Sequence, residues 1–130
     1  MTRRTLLLAA LATASSFAIP PAVSFERRAF DATAFEAAKS AGQPILIHVS
    51  APWCPTCRAQ KPILAELASK PKFRSFAFFE VDFDSQKDVL RMLNVHQQST
   101  LITFKGKKEV GRSTGDTNAT SIEALLNKAI

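Results

Sequence analysis

Apolar positions along this chain come in short runs whose spacing switches between strand-like and helical periods. Ile45-Leu46-Ile47-His48-Val49 is β-branched and nearly continuous in apolar character, which predicts a strand buried on both faces. Ahead of it, Phe35 and Ala38, with Phe30 nearby, form a stripe at helical spacing. Asp31 can cap that helix, which reaches about Ser40, and Gly42 followed by Pro44 supplies its stop. Phe25 to Phe30 reads as an extended or poorly ordered lead-in.

From Cys54 to about Ser69, the spacing of Cys57, Ile63, Leu64 and Leu67 predicts a second helix, kinked or restarted at Pro62 and bounded by Pro71. Phe76 to Val81 is a second strand, and Asp84 to Met92 a short helix that uses Val89, Leu90 and Leu93. Leu101 to Phe104 and Glu109 to Arg112 form a hairpin through a basic tip, Lys105-Gly106-Lys107-Lys108. A closing helix carries Ile122, Leu125, Leu126 and Ala129 on one face, and Thr120-Ser121-Ile122-Glu123 has the spacing of a capping box. The order describes an α/β sandwich whose mixed central β-sheet is parallel at its start, antiparallel at its end and flanked by helices.

The N-terminal residues follow a different pattern. Arg3 and Arg4 precede an uncharged stretch, Thr5 to Ile19, that stops at Pro20-Pro21. At about 1.5 Å per residue this stretch covers roughly 22 Å, short of a hydrocarbon core about 30 Å thick. It reads as an export signal over residues 1–24, with small residues offering cleavage after Ala18 or after Ser24. Thr2-Arg3-Arg4-Thr5-Leu6-Leu7 also resembles a twin-arginine signal. Either route places residues 25–130 in a periplasmic or secreted compartment, where disulfide chemistry is permitted.

Cleavage after Ser24 leaves 106 of the 130 residues, enough for one domain and no second. The formal net charge of +6 falls to +4 without Arg3 and Arg4, and the remaining charges alternate in sign, so nucleic acid is not implied as a partner. With 46% apolar residues a core forms without cross-links. Closing so short a loop as that between Cys54 and Cys57 removes little unfolded-state entropy. The two cysteines are therefore better explained by chemistry than by stapling.

Both sit in one pentapeptide, Trp53-Cys54-Pro55-Thr56-Cys57, between the first buried strand and the second helix. That spacing allows a small disulfide ring, and a helix N-terminus lowers a thiolate's pKa.

These residues, with Pro62, the Thr100-Leu101-Ile102-Thr103-Phe104 strand and the closing helix, resemble the thioredoxin family over almost the whole of residues 25–130. The resemblance implies a thioredoxin-like three-layer sandwich and a thiol-disulfide oxidoreductase. Cys54, the more exposed thiol, would attack a substrate disulfide and Cys57 would resolve the mixed disulfide. Trp53 would serve as a platform for the partner chain, and Gln98, Ser99 and Thr100 would border its groove. The redox-active disulfide Cys54–Cys57 would be the only prosthetic element, with no metal and no other cofactor.

Three positions depart from the family pattern. Pro55-Thr56 stands where Gly-Pro is usual; Pro55 removes a backbone N–H from the helix start, and the Thr56 hydroxyl is within reach of a sulfur. His48 stands where the family places a buried Asp beneath the second cysteine. With an ordinary pKa near 6.5 it could accept the Cys57 proton, or it could be a core histidine bonded to backbone. Ser99 replaces a cis-proline, and since a cis bond to a non-proline residue costs about 2.5–4 kcal/mol, a trans Gln98–Ser99 bond is expected.

The expected function is that of an exported oxidoreductase exchanging disulfides with protein thiols or disulfides. It would act as a monomer and be served by an electron donor or acceptor that could be membrane-bound. The alternative is a thioredoxin-fold binding module, or a soft-metal carrier using the groove that Ser99 opens, although two cysteines fall short of a closed four-ligand site. Arg58 and His96 read as an exposed helix arginine and a solvated loop histidine.

Overall fold

A computed structural model describes residues 26–130. The export signal and both candidate cleavage sites lie outside the described residues. The element order is β1 (Arg27–Ala29), α1 (Ala32–Ser40), β2 (Pro44–Ser50), α2 (Pro55–Ala68), β3 (Ala77–Asp82), α3 (Lys87–Leu93), β4 (Thr100–Lys105), β5 (Lys108–Thr114) and α4 (Ala119–Asn127). One five-stranded sheet has the order β1-β3-β2-β4-β5. β3 runs parallel to both β1 and β2, while β2–β4 and β4–β5 are antiparallel. The expected mixed sheet is present, with the strand carrying His48 at its centre.

Alternation along β2 divides the core into two layers. Ile45, Ile47 and Val49 pack with Phe35, Phe79, Ile102 and the α3 residues Val89, Leu90 and Leu93. Leu46 points the other way, with Phe78 and Leu101, against Leu64 and Leu67 of α2 and Ile122, Leu125 and Leu126 of α4. His48 and Ser50 continue this second face, beneath α2. A polar His48 is thus committed to the helix that carries the cysteines.

The structure revises several local expectations. Of the two expectations for the lead-in the extended one holds, and what the sequence did not show is that it joins the sheet as strand β1, whose three exposed residues pair through backbone with Phe78, Phe79 and Glu80. α2 neither stops nor restarts at Pro62: the helix is continuous for 14 residues, because an exposed proline removes only its own N–H bond from the ladder. α3 begins later than Asp84, since the Asp82 carboxylate accepts the N–H groups of Asp84 (2.8 Å) and Ser85 (3.0 Å) and holds them in a turn. α4 starts at Ala119, capped by Asn118, whose side chain accepts the Ser121 N–H at 3.0 Å. The capping-box spacing at Thr120 is therefore not the cap. The hairpin is longer than its apolar residues suggested, turning at Gly106, whose φ of 58° suits glycine. No helix among the described residues is long and apolar enough to cross a membrane.

Candidate active site

β2 ends at Ser50, and the chain reverses over Ala51, Pro52 and Trp53 to enter α2 with Cys54 as N-cap (φ −85°, ψ 109°). The Cys54 N–H donates to the Ala51 carbonyl at 3.2 Å, and Cys54 Sγ accepts the Cys57 N–H at 3.1 Å. Cys54 and Cys57 form a disulfide with their Cα atoms 5.3 Å apart. Pro55 fills the first helical position, where its missing N–H costs no ladder bond. On reduction, the Cys57 N–H and the positive end of the α2 dipole face the Cys54 sulfur and favour its thiolate.

The expectation of a more exposed Cys54 is not met in the disulfide state. Cys54 is 1% exposed and Cys57 0%, because Ala51 and Phe83 pack against the pair. The two sulfurs differ by position: Cys54 caps the helix, whereas Cys57 lies 3.9 Å from the Val49 carbonyl oxygen, over the strand. Thr56, half-buried, makes no hydrogen bond to either sulfur.

Trp53 is exposed, its ring edge-on to Phe83 with centroids 6.3 Å apart. Its indole N–H donates to the Asp84 carboxylate at 2.9 and 3.2 Å. Asp84 is held in turn by Asp82, whose carboxyl lies below its ordinary pKa, chiefly because it accepts the Ser85 N–H. Trp53 is thus an exposed ring held in place by Asp84 and Phe83.

Ser99 is reached through a trans bond, as expected, and takes φ 60°. That region costs a non-glycine residue of the order of 1–3 kcal/mol and persists only where surrounding bonds enforce it. Here the Ser99 N–H donates to the Val49 carbonyl at 2.8 Å, the carbonyl that also faces Cys57 Sγ. The Ser99 carbonyl accepts from Gly115 N at 3.0 Å, and its hydroxyl donates to the Gln98 carbonyl. Thr100 Oγ1 donates to the Gln97 carbonyl at 2.8 Å and meets Thr114 Oγ1 at 3.1 Å, closing the turn onto β5.

Gln60, a residue the sequence reading passed over, ties this turn to α2. It is fully buried, and its Nε2 donates to the Ser99 carbonyl (3.1 Å) and the Asp116 carbonyl (2.9 Å). Because both carbonyls can only accept, the amide nitrogen must face them, and Oε1 must face His48 Nε2, 3.0 Å away. His48 therefore carries its proton on Nε2. Its Nδ1 is buried without a hydrogen-bond partner.

Burial lowers the His48 pKa from 6.5 to about 4, opposed by the Gln60 hydrogen bond and by the charge of Glu80. The expectation of a histidine poised near neutral pH is corrected on this ground. His48 bonds to a side chain, not to backbone. Arg58 is exposed, and His96 is an exposed loop residue bonded to Asn94 Oδ1 at 3.1 Å. Among the described residues no three His, Cys, Asp or Glu side chains are grouped to hold a metal.

Comparison with known proteins gives this geometry its context. The thioredoxin family model matches residues 26–128. The chain belongs to the thioredoxin family. An H-type thioredoxin of Fagopyrum esculentum is 40% identical over 81 residues, 62% of this chain and 68% of that protein. An H-type thioredoxin of Brassica campestris is 36% identical over 93 residues, 72% of this chain and 73% of that one. The crystal structure of Trxlp from Edwardsiella tarda EIB202 superposes with a TM-score of 0.76 at 38% identity, covering 78% of this chain and 98% of that one. The thioredoxin fold and a Cys-x-x-Cys pair at disulfide distance make this chain a thiol-disulfide oxidoreductase. Within this fold, a trans-bonded Ser99 turn lies beside the pair, and Gln60, hydrogen-bonded to His48, ties it to α2.

Proposed function

We propose that the chain is an exported thiol-disulfide oxidoreductase that exchanges disulfides with protein substrates as a monomer. The observation carrying this reading is Cys54 at the N-cap of α2, bonded to a buried Cys57 one turn on. In the reducing direction, the Cys54 thiolate attacks one sulfur of a substrate disulfide; the S–S bond breaks, and the released substrate thiolate takes up a proton. Cys57 gives up its proton and attacks Cys54 Sγ, which reforms the Cys54–Cys57 disulfide and expels the second substrate thiolate. Two electrons pass to the substrate, and an external dithiol or electron carrier restores them. The second step is fast because the resolving thiol is held beside the mixed disulfide.

His48, neutral at working pH, supplies a hydrogen-bonding nitrogen beneath α2 rather than a titrating base. Trp53, braced by Asp84, and the Gln98-Ser99-Thr100 turn flank the pair as the surface on which a partner chain rests. Export is supported by Arg3, Arg4 and the apolar stretch that follows them, and by a chemistry that suits an oxidising compartment.

Reduction of insulin driven by dithiothreitol tests the activity. The unmodified protein and Ser99→Ala should turn over, and Cys54→Ser should not; an inactive unmodified protein would favour a binding module. N-terminal sequencing of mature protein from a periplasmic fraction tests export, with the new terminus expected at Ile19 or Phe25. A full-length chain confined to the cytoplasm would contradict it.

A further inference from the structure

Val49, Gln60 and Ser99 meet around the buried side of the disulfide. The Val49 carbonyl accepts the Ser99 N–H at 2.8 Å and lies 3.9 Å from Cys57 Sγ, so the turn at Ser99 and the Cys57 sulfur share one carbonyl as neighbour. Ser99 holds a left-handed backbone without being glycine, and no proline ring fixes it. What restrains it from the helix side is Gln60, which follows Cys57 by three residues on the buried face of α2. Both N–H groups of its amide are spent on main-chain carbonyls, at Ser99 and at Asp116 before α4. A fully buried polar side chain with three satisfied bonds to three separate segments is costly to place unless its geometry is used.

We propose that Gln60 is a positioning residue that sets selectivity for protein over small disulfides, by anchoring the Ser99 turn beside Cys57 and fixing the His48 tautomer beneath it. The two effects share one amide. Its donor end holds the turn that borders the groove, and its acceptor end holds the His48 Nε2–H and leaves Nδ1 bare toward the interior. A small disulfide needs only access to Cys54, whereas a protein chain must also rest against the turn. The inference builds on the oxidoreductase reading above.

The test compares Gln60→Met and Gln60→Glu with the unmodified protein, each pre-reduced and freed of dithiothreitol so that the Cys54–Cys57 dithiol is the only reductant in a single turnover, using insulin as the protein disulfide and 5,5′-dithiobis(2-nitrobenzoate) as the small one. Both variants lose the donors to Ser99 and Asp116, so the ratio of the second-order rate constant for insulin to that for the small disulfide should fall about five- to tenfold. Histidine 15N spectra supply a second readout. His48 should be protonated at Nε2 in the unmodified protein and in Gln60→Glu, and should lose that preference in Gln60→Met.

Equal losses on both disulfides would reduce Gln60 to a structural role and overturn the proposal. An Nδ1-protonated His48 in the unmodified protein would overturn it without any variant, even if Gln60→Met failed to fold. An unmodified protein that turned over neither disulfide would remove the oxidoreductase reading and the selectivity with it. Equal losses in the variants leave turnover by the unmodified protein in place, whereas failure of the oxidoreductase reading removes it, so the two failures are distinguishable.

Discussion

A neutral histidine in the core leaves a mark on stability that pH can expose. His48 titrates near 6.5 when unfolded and near 4 in the fold. Between these values the unfolded chain binds the extra proton, so stability is full above about pH 6.5, falls as pH drops through the window, and levels off below about 4. At about 1.4 kcal/mol per unit, the loss is bounded at about 3–4 kcal/mol. Urea unfolding at pH 7 and pH 4.5 should show the unmodified protein losing more stability than His48→Leu over the same interval; equal losses would refute the assignment. Asp82 contributes at lower pH, because its lowered pKa adds stability that is lost only as pH falls below the ordinary carboxylate value. Gln60 shows why residue-level function was harder to read than chemistry. It interrupts the Cys57, Leu64, Leu67 stripe with a polar residue, and that lone break in an apolar face was the only signal it gave. Its two acceptors are main-chain carbonyls far along the chain, which no side-chain motif advertises.

At the scale of elements, the ends of helices are where expectation and structure parted. β2, α2 and the hairpin were legible because their apolar residues are long runs or clear stripes. β1 was not, since Arg27, Arg28 and Ala29 are exposed and the strand exists through backbone pairing to β3. The start of α4 turned on which of several polar residues lies one step before the first helical turn. Removing the true cap should decide the matter. Asn118→Ala should cost about 1 kcal/mol, whereas Thr120→Ala should cost only a few tenths, as read by thermal or urea unfolding. The turn between β3 and α3 has a functional consequence of its own, because it presents Asp84 to Trp53. Asp84→Ala should free the indole, lowering tryptophan fluorescence anisotropy and raising KM for insulin about two- to fivefold, with a stability change under about 1 kcal/mol because the bond is exposed. Unchanged anisotropy would mean that Phe83 alone holds the ring.

Across the whole molecule, the sheet order brings the chemistry together. β2 lies at the centre, parallel to β3 and antiparallel to β4, so the end of β2 that leads into Cys54 lies beside the start of β4, where Ser99 precedes Thr100. Antiparallel pairing of Val49 with Thr100 is what brings the distant Ser99 turn to the carbonyl that also faces Cys57 Sγ. The layers then bury Cys57 between strand and helix and leave Cys54 at the helix end, and it is on this placement that we propose first attack by Cys54 and resolution by Cys57. Trapping the mixed disulfide tests that division most directly. Cys57→Ser, reduced and then mixed with an oxidised protein substrate, should accumulate a covalent adduct that peptide mapping places on Cys54, while Cys54→Ser should accumulate little or none. An adduct that formed through Cys57 in Cys54→Ser as readily as through Cys54 in Cys57→Ser would contradict the account.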